Sequence, residues 1–193
     1  MITDPAEFAI DYSRRLASVL SGQDWTNVGR LAQELRACRD SGKSVFLCGN
    51  GGSAGNAIHL ANDLLYGISK TFGQGLRVTA LPANSSVITC LANDVGYDSI
   101  FSAQLAVLAQ KGDLLIALSG SGNSPNILKA LEQAKSMGVR TFAILGYSGG
   151  KVKAVVDVPI HFAVDDMQIS EDMQLVVGHV LMQWLYQNRN SQA

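Results

Sequence analysis

Apolar positions follow two different patterns along the chain, and each pattern predicts a type of element. Two stretches near the start, 5–20 and 24–40, hold apolar residues at helical spacing and predict two leading helices. Five later runs are short and almost uninterruptedly apolar, as in strands that are buried on both faces. These runs are 44–48, 76–81, 113–118, 139–145 and 158–162. Helical spacing returns from residue 54 and over 85–92, 101–110, 125–137, 151–155 and 167–187.

Strands that alternate with helices predict a parallel sheet with helices packed on both of its faces. The expected fold class is therefore α/β, a three-layer, doubly wound parallel sheet in one domain over residues 1–193. Residues 1–40 would form a helical pair ahead of that sheet. The apolar stripes of this pair are long, so the helices could pack on their own sheet or on a second copy of the protein.

The same spacing predicts which side of each early helix is buried. The expected buried faces are Phe8, Tyr12, Leu16, Val19 and Leu20, then Val28, Leu31, Leu35 and Cys38, then Ile58, Ala61, Leu64 and Leu65. Asp24 and Ser53 stand at the expected starts of two helices and are predicted as N-caps. At the other end of the chain, Gln192 and Ala193 are expected to fray.

Composition excludes several classes of protein. The 193 residues are 47% hydrophobic and 16% charged, which suits one globular domain with a sizeable core. A net charge of −1 does not suggest a nucleic-acid surface, and the apolar runs are too short to span a membrane. The three cysteines lack metal-binding spacing, and the first residues lack a secretory apolar region. Reduced thiols in a cytoplasmic protein are therefore expected.

Two turns rich in glycine and serine follow predicted buried strands. The first, G-N-G-G-S at 49–53, and the second, S-G-S-G-N-S at 119–124, each lead into a predicted helix. Free N–H groups and the positive end of a helix dipole favour an anion at such a place, and hydroxyl groups add donors for a phosphate. Neither turn has the spacing of a dinucleotide fingerprint or of a nucleotide P-loop. The alternative is that the first is an ordinary strand-to-helix turn that needs glycine and that the second is a flexible glycine and serine loop.

Acid–base side chains occur in pairs on two predicted helices. His59 and Asp63 are four residues apart and share a face of the helix after the first strand. Glu171 and His179 are eight apart on the last helix and lie on similar faces. Two imidazoles and two carboxylates could bind a divalent metal such as zinc, or could transfer protons. The alternative for each histidine is an ordinary surface or core residue.

Four short motifs occur at the turns of the chain. They are C-G-N-G-G-S at 48–53, A-N-D-x-G-Y at 92–97, L-S-x-S-G-N-S at 118–124 and G-Y-x-G-G at 146–150. Together they resemble the sugar isomerase (SIS) domain family, and most of all its phosphoheptose isomerase branch, over nearly the whole chain. The resemblance implies a flavodoxin-like SIS fold. It also implies conversion of sedoheptulose 7-phosphate to D-glycero-D-manno-heptose 7-phosphate through an enediol, in heptose or lipopolysaccharide biosynthesis.

The resemblance further implies which residues form the site. Substrate would be bound by Asn50, Gly51, Gly52, Ser53, Asn93, Asp94, Ser119, Gly120, Ser121, Ser124 and Glu171. Asp63, Glu171 and His179 would be the catalytic residues. His59, Asp63, Glu171 and His179 would hold one divalent metal ion per site, with zinc expected. The expected assembly is a homotetramer with sites between subunits, and the expected ligand is a phosphorylated sugar, without nucleic acid or membrane partners.

The chain departs from the phosphoheptose isomerase pattern at Gly120, where serine or threonine is usual, at 67–70, where an arginine is absent, and at three positions on the two acid–base helices. Asp63 stands where the first helix of the family has glutamate, and Glu171 stands where the last helix has glutamine. Gln174 replaces the inner of two histidines on that last helix. These changes motivate an alternative function, in which a non-catalytic SIS protein binds a sugar phosphate or a partner protein such as a replication initiator. Retention of His59 and His179 favours the enzyme.

Overall fold

A parallel sheet of five strands forms the centre of the computed structural model, which describes residues 2–190. The strands are β1 (Ser44–Gly49), β2 (Arg77–Ala80), β3 (Leu114–Ser119), β4 (Arg140–Leu145) and β5 (Val158–His161). Their order in the sheet is β2-β1-β3-β4-β5. The winding direction therefore reverses between β1 and β3, and ligands of such sheets bind at that reversal. Gln192 and Ala193, which were expected to fray, lie outside the described residues.

Eight α-helices connect and cover the strands in the described part of the chain. They are α1 (Pro5–Ser21), α2 (Thr26–Ser41), α3 (Gly52–Asn62), α4 (Ser85–Asp94), α5 (Ser102–Leu108), α6 (Pro125–Ser136), α7 (Gly150–Val155) and α8 (Met167–Gln187). One π-helical turn, Asp63–Gly67, continues α3 directly. No helix within residues 2–190 combines the length and the apolarity needed to cross a bilayer.

Side chains of the sheet alternate between two cores, one on each face. Val45 and Leu47 of β1 belong to the core that α2, α3 and α8 cover. Phe46 and Cys48 belong to the core formed with α5, α6 and α7. This alternation follows from the two-residue period of a strand. The predicted three-layer α/β fold with two leading helices is confirmed.

The predicted buried face of α3 is partly wrong. Ile58 and Leu65 are 44% and 57% exposed, whereas Leu64 is buried as expected. The helix begins at Gly52 rather than at Ala54. Its buried positions start at Ser53 and recur every three or four residues into the π-helical turn. Those positions are Ser53, Ala57, Leu60 and Leu64. The contacts with the sheet and α8, rather than the apolar residues alone, decide which side of this helix faces inward.

Capping differs from expectation at both helices. Gly51 is the N-cap of α3, so Ser53 lies in the first turn of the helix and not at its cap. Trp25, and not Asp24 as predicted, is the N-cap of α2. The Asp24 carboxylate still accepts hydrogen bonds from the backbone N–H and the hydroxyl of Thr26, and so satisfies a free N–H group of that helix. The expected apolar face of α2 is confirmed, because Val28, Leu31, Leu35 and Cys38 are all buried.

The first helix packs on the rest of the protein without burying any described residue fully. Phe8 remains 53% exposed although it was expected inside. The Tyr12 hydroxyl donates a hydrogen bond to Asp172 of α8, and Arg15 forms an ion pair with Asp166. Burial, together with the bond to Asp172, raises the pKa of Tyr12 to about 12. Polar contacts thus fix α1 against the helix that carries two candidate site residues.

Candidate active site

The two glycine and serine turns meet at the carboxyl ends of neighbouring strands. Gly49 at the end of β1 pairs with Leu118 near the end of β3. A cavity of about 290 Å³ opens between the turns. It is lined by Asn50, Gly51, Gly52, Ser53, Leu118, Ser119, Gly120, Ser121, Ser124, Met167 and Glu171. The parallel sheet therefore brings together all the predicted substrate-binding residues except Asn93 and Asp94.

Serine hydroxyls of the second turn are oriented by the turn itself. The Ser119 hydroxyl accepts a hydrogen bond from the Gly122 N–H at 3.1 Å, and the Ser121 hydroxyl accepts one from the Asn123 N–H at 3.3 Å. A hydroxyl that accepts from its own turn still has its hydrogen to donate. Ser124 is the N-cap of α6 and makes no capping bond to the described backbone. These groups can donate to an anion at the start of α6.

The turn at 146–150 packs against the second glycine and serine turn. Gly122 has a φ of +65°, and a Cβ there would collide with the backbone of Gly149. The Asn123 amide oxygen accepts a hydrogen bond from the Lys151 N–H at 3.1 Å. The motif at 146–150 is therefore a neighbour that shapes the serine turn, although it does not itself line the cavity. Glycine is required at position 122 because two backbone segments approach each other there.

A pair of amides joins the first turn to the helix after the second. Asn50 and Asn126 exchange two hydrogen bonds, of 2.9 and 2.8 Å, between their side-chain amides. Asn126 is 1% exposed, and the Tyr97 hydroxyl donates to the Asn50 oxygen at 3.1 Å. The first turn is therefore joined to the start of α6 by side-chain hydrogen bonds, in which the buried Asn126 amide has both a donor and an acceptor partner. The sequence analysis missed Asn126, since nothing local distinguishes it from any polar residue in the first turn of a helix.

Asn93 and Asp94 do not reach the cavity. They lie in the last turn of α4, just beyond the helical spacing predicted over 85–92, and both are exposed. The Asn93 amide donates to the Asp94 carboxylate at 2.8 Å. The segment instead contributes Tyr97 through its bond to Asn50. Within the described protomer, this motif supports the first turn rather than lining the cavity.

His59, Asp63 and His179 converge on one point from two helices. The two histidine Nε2 atoms are 3.0 Å apart. The Asp63 carboxylate lies 3.5 Å from His59 Nε2 and 3.8 Å from His179 Nε2. The imidazoles are about half exposed, at 48% and 45%, while the Asp63 side chain is 14% exposed. Asp63 begins the π-helical turn, an irregularity that is frequent at functional sites.

The spacing of these three atoms fits a divalent metal ion. Their ligand atoms all lie within 4.8 Å of one another. Ligands about 2.0–2.1 Å from a tetrahedral zinc ion are about 3.4 Å apart, close to the separations observed. Glu171, the fourth predicted ligand, does not belong to this cluster. Its carboxylate lies over Gly52, where an added Cβ would collide with it.

Close packing of α3 on α8 brings the two histidines together. A Cβ at Gly178 would collide with the Leu60 side chain, so the helices approach most closely one residue away from His59 and His179. Only glycine leaves room for this approach. The histidine pair is consequently a product of the helix crossing, which the spacing of residues along either helix does not reveal.

Gln174 is a second polar residue near the site that the sequence analysis did not assign. It is completely buried, and its Nε2 donates to the Ser53 hydroxyl at 2.9 Å. Its oxygen accepts from the Asn56 amide, also at 2.9 Å. It occupies the position of the family's inner histidine, which was the only sequence signal that pointed to it.

The fold and the site together define a SIS-domain protein. The family model for the SIS domain matches residues 9–146, and the chain therefore belongs to this family.

Its relatives are phosphoheptose isomerases, and the chain belongs with them. It is 40% identical over 156 residues to the phosphoheptose isomerase of Akkermansia muciniphila. This match covers 79% of this chain and 82% of the relative. It is 36% identical over 176 residues to that of Chlorobaculum parvum, over 89% of this chain and 83% of the relative.

Solved structures agree with these relatives. The structure of a phosphoheptose isomerase from Francisella tularensis has a TM-score of 0.87 and 25% identity, and the match covers 96% of this chain and all of that one. The phosphoheptose isomerase of Neisseria gonorrhoeae has a TM-score of 0.81 and 28% identity, over 93% of this chain and 95% of that one.

Proposed function

We propose that the protein is an isomerase that interconverts a ketose phosphate and an aldose phosphate. The expected pair is sedoheptulose 7-phosphate and D-glycero-D-manno-heptose 7-phosphate, which would place the enzyme in heptose biosynthesis. The observation that supports this most directly is a cavity of hydroxyls and backbone amides beside a cluster of acid–base groups. Phosphoheptose isomerase is also the name of relatives that match most of the chain.

Uncharged donors would bind the phosphate group. Ser53, Ser119, Ser121 and Ser124 line the cavity together with glycine backbone, and no lysine or arginine is among the lining residues. Charge-assisted hydrogen bonds from N–H and O–H groups to a phosphate oxygen are stronger than bonds between neutral partners. The positive end of the α6 dipole adds to this attraction.

The distance between the cavity and the histidine cluster favours an extended substrate. Ser53 and His59 are six residues apart on α3, which is about 9 Å along the helix axis. Glu171 and His179 are eight apart on α8, or about 12 Å. A sugar whose phosphate lies at one end and whose carbonyl reaches the other must therefore have a chain of several carbons.

Isomerisation requires that a proton leave the carbon beside a carbonyl and return to its neighbour. We assign proton transfer to Glu171, which lines the cavity, and to His179, which lies outside that lining in the histidine cluster. Asp63 lies beside both histidines and can stabilise a positive charge on either imidazole. A shorter carboxylate at position 63 therefore remains within reach of its partners.

We propose zinc as the metal, held by His59, Asp63 and His179, with one ion per site. Bound zinc would polarise a substrate oxygen and stabilise negative charge on the enediol. Metal binding and proton transfer both use Nε2 of His179, so the two roles are alternatives for this residue. A stoichiometric divalent ion in the purified protein would assign His179 to the metal and leave Glu171 as the proton-transfer group.

Turnover is the direct test of the proposed function. Purified protein incubated with sedoheptulose 7-phosphate, with and without added zinc, is expected to form the aldose phosphate. Product formation is followed by separating the two sugar phosphates. Binding of sugar phosphates without turnover of any member of a ketose phosphate panel would contradict the isomerase and support the non-catalytic alternative.

We also propose that the leading helices form an interface between copies of the chain, in a homotetramer. A groove of about 360 Å³ runs between α2 and α8 and is mainly apolar. It is lined by Trp25, Val28, Gly29, Ala32, Gln33, Val180, Leu181 and Trp184. The chain itself offers an apolar occupant for this groove on a second copy, because α1 exposes Phe8 and Ile10.

Gly29→Arg tests this interface, and the tetramer is expected to dissociate. A Cβ added at position 29 meets nothing within 4 Å inside the protomer, so we expect the protomer to fold normally. Ser136→Arg on α6, which packs on the opposite face of the sheet, is the matched control. Light scattering after size-exclusion chromatography measures both masses. A tetramer of the Gly29→Arg protein would contradict the proposed interface.

We propose a cytoplasmic location for the protein. All three cysteines are free, and Cys38 and Cys48 are buried. Burial raises the pKa of Cys38 to about 11 and that of Cys48 to about 12, so neither is a reactive thiolate near neutral pH. Unpaired thiols of this kind are typical of a reducing compartment.

A further inference from the structure

Gln174 is a polar side chain with no exposed surface, on the side of α8 that packs against α3. Its exposed fraction is 0%, and its neighbours Met173 and Val177 are equally buried. A buried amide destabilises the fold unless both of its polar groups have partners. Both do: Nε2 donates to the Ser53 hydroxyl at 2.9 Å, and Oε1 accepts from the Asn56 amide at 2.9 Å.

A backbone carbonyl shows which group donates and which accepts in each of these hydrogen bonds. Asn56 Nδ2 also lies 3.1 Å from the carbonyl oxygen of Glu171, which can only accept. The Asn56 group at this position is therefore its nitrogen, and the atom of Gln174 that it contacts must be the oxygen. Gln174 then presents its nitrogen to Ser53. The Ser53 hydroxyl is consequently an acceptor in this contact.

We infer that Gln174 is a positioning residue that makes Ser53 a hydrogen-bond donor to the substrate phosphate. Ser53 lines the cavity but is only 4% exposed. Its hydroxyl can therefore reach a ligand only if the O–H bond points into the cavity. Because the Ser53 oxygen accepts from Gln174, the only hydroxyl hydrogen remains for a guest in the cavity. A donor that is already oriented does not lose rotational freedom on binding.

The bond network also couples the two candidate helices at the cavity. Asn56 on α3 holds the Glu171 carbonyl and the Gln174 side chain together, and Gln174 returns to Ser53 on α3. The backbone that carries the Glu171 carboxylate is thereby fixed relative to the first turn. This inference rests on the proposed phosphate site, and its test measures binding rather than turnover.

Gln174→Met is the main test, with inorganic phosphate as the probe. Methionine has nearly the volume of glutamine but cannot donate to Ser53, so we expect phosphate binding about 10-fold weaker. Isothermal titration calorimetry of the full-length protein measures the affinity. Met173→Leu, a buried apolar exchange one residue away on the same helix, is the matched control and should bind phosphate like the wild type.

A double-mutant cycle separates positioning from a general loss of structure. If Gln174 acts through Ser53, then Gln174→Met should change the phosphate affinity less than 2-fold in a Ser53→Ala background. An equal loss in both backgrounds would overturn the inference, as would wild-type affinity in the single variant. Should Gln174→Met fail to fold, Asn56→Leu leaves Gln174 in place but frees its amide to rotate, and weaker phosphate binding is again expected.

Failure of this inference and failure of the proposed function give different results. An active isomerase whose phosphate affinity does not depend on Gln174 overturns the positioning role alone. A protein without turnover that still shows the Ser53-dependent effect of Gln174→Met overturns the isomerase and keeps the positioning role. Absence of any phosphate binding by the wild type overturns the positioning role as well.

Discussion

His179→Gln is expected to lower kcat for the ketose phosphate by about 1,000-fold, within the range for loss of a proton-transfer group. Glutamine has a similar size and can donate a hydrogen bond, but it does not titrate. If His179 instead binds the metal, the same change removes one of the three groups that converge beside α3, and bound zinc should be lost. The affinity for inorganic phosphate should remain unchanged, because His179 does not line the cavity.

His161→Gln provides the matched control for this experiment. His161, the remaining histidine of the chain, lies on β5. Its Nε2 contacts the Tyr147 carbonyl oxygen at 2.9 Å, and its Nδ1 contacts Lys153 Nζ at 3.1 Å. Glutamine can keep the bond to the carbonyl, so turnover should stay within a few-fold of the wild type. A His179→Gln enzyme that retains wild-type kcat would contradict the role proposed for His179.

Gly178→Ala is expected to weaken zinc binding by 10- to 100-fold, the range for changes around a metal site. The new methyl group would collide with Leu60 and push α8 away from α3. His59 and His179 are the neighbours of these two residues in the chain, so their Nε2 atoms should move apart from the present 3.0 Å. Competition with a chromogenic chelator measures the affinity of the full-length protein.

In the Gly178→Ala protein, the free energy of unfolding should change less than the free energy of zinc binding. Alanine favours a helix over glycine by about 1 kcal/mol, which offsets part of the cost of the overpacked contact. Gly55→Ala on α3 is the matched control, because an added Cβ there meets nothing within 4 Å. It should leave zinc affinity unchanged. Equal zinc affinity in the Gly178→Ala protein would show that the helix crossing does not set the histidine spacing.

The strands and the two turns rich in glycine and serine could be predicted because their signals are local. Residues 114–118 are apolar throughout, and β3 is buried at every position. Glycine and serine after a buried strand indicate a close backbone approach at the start of a helix, and both turns were found there. Once the sheet is parallel, the carboxyl ends of adjacent strands must lie at the same edge.

Which face of a helix is buried could not be predicted from the sequence as well as the strands and turns could. Apolar side chains at positions 58 and 65 suggested one buried face for α3, but both are exposed. The face that is buried includes Ser53, whose hydroxyl is paired with Gln174. An apolar residue on a protomer surface is common, so the type of a residue alone is weak evidence for its side of a helix.

For this protein, the sequence by itself determined the order of elements, the parallel sheet and the two phosphate-type turns, because each depends on nearby residues. Only the tertiary structure decided which side chains meet. Asn50 pairs with Asn126, and Ser53 pairs with Gln174 across 121 positions of the chain. Glu171 lies in the cavity rather than with the histidines. The physical reason is that such contacts join residues far apart in the sequence, so they depend on how the strands and helices pack, as where Gly178 of α8 packs on Leu60 of α3.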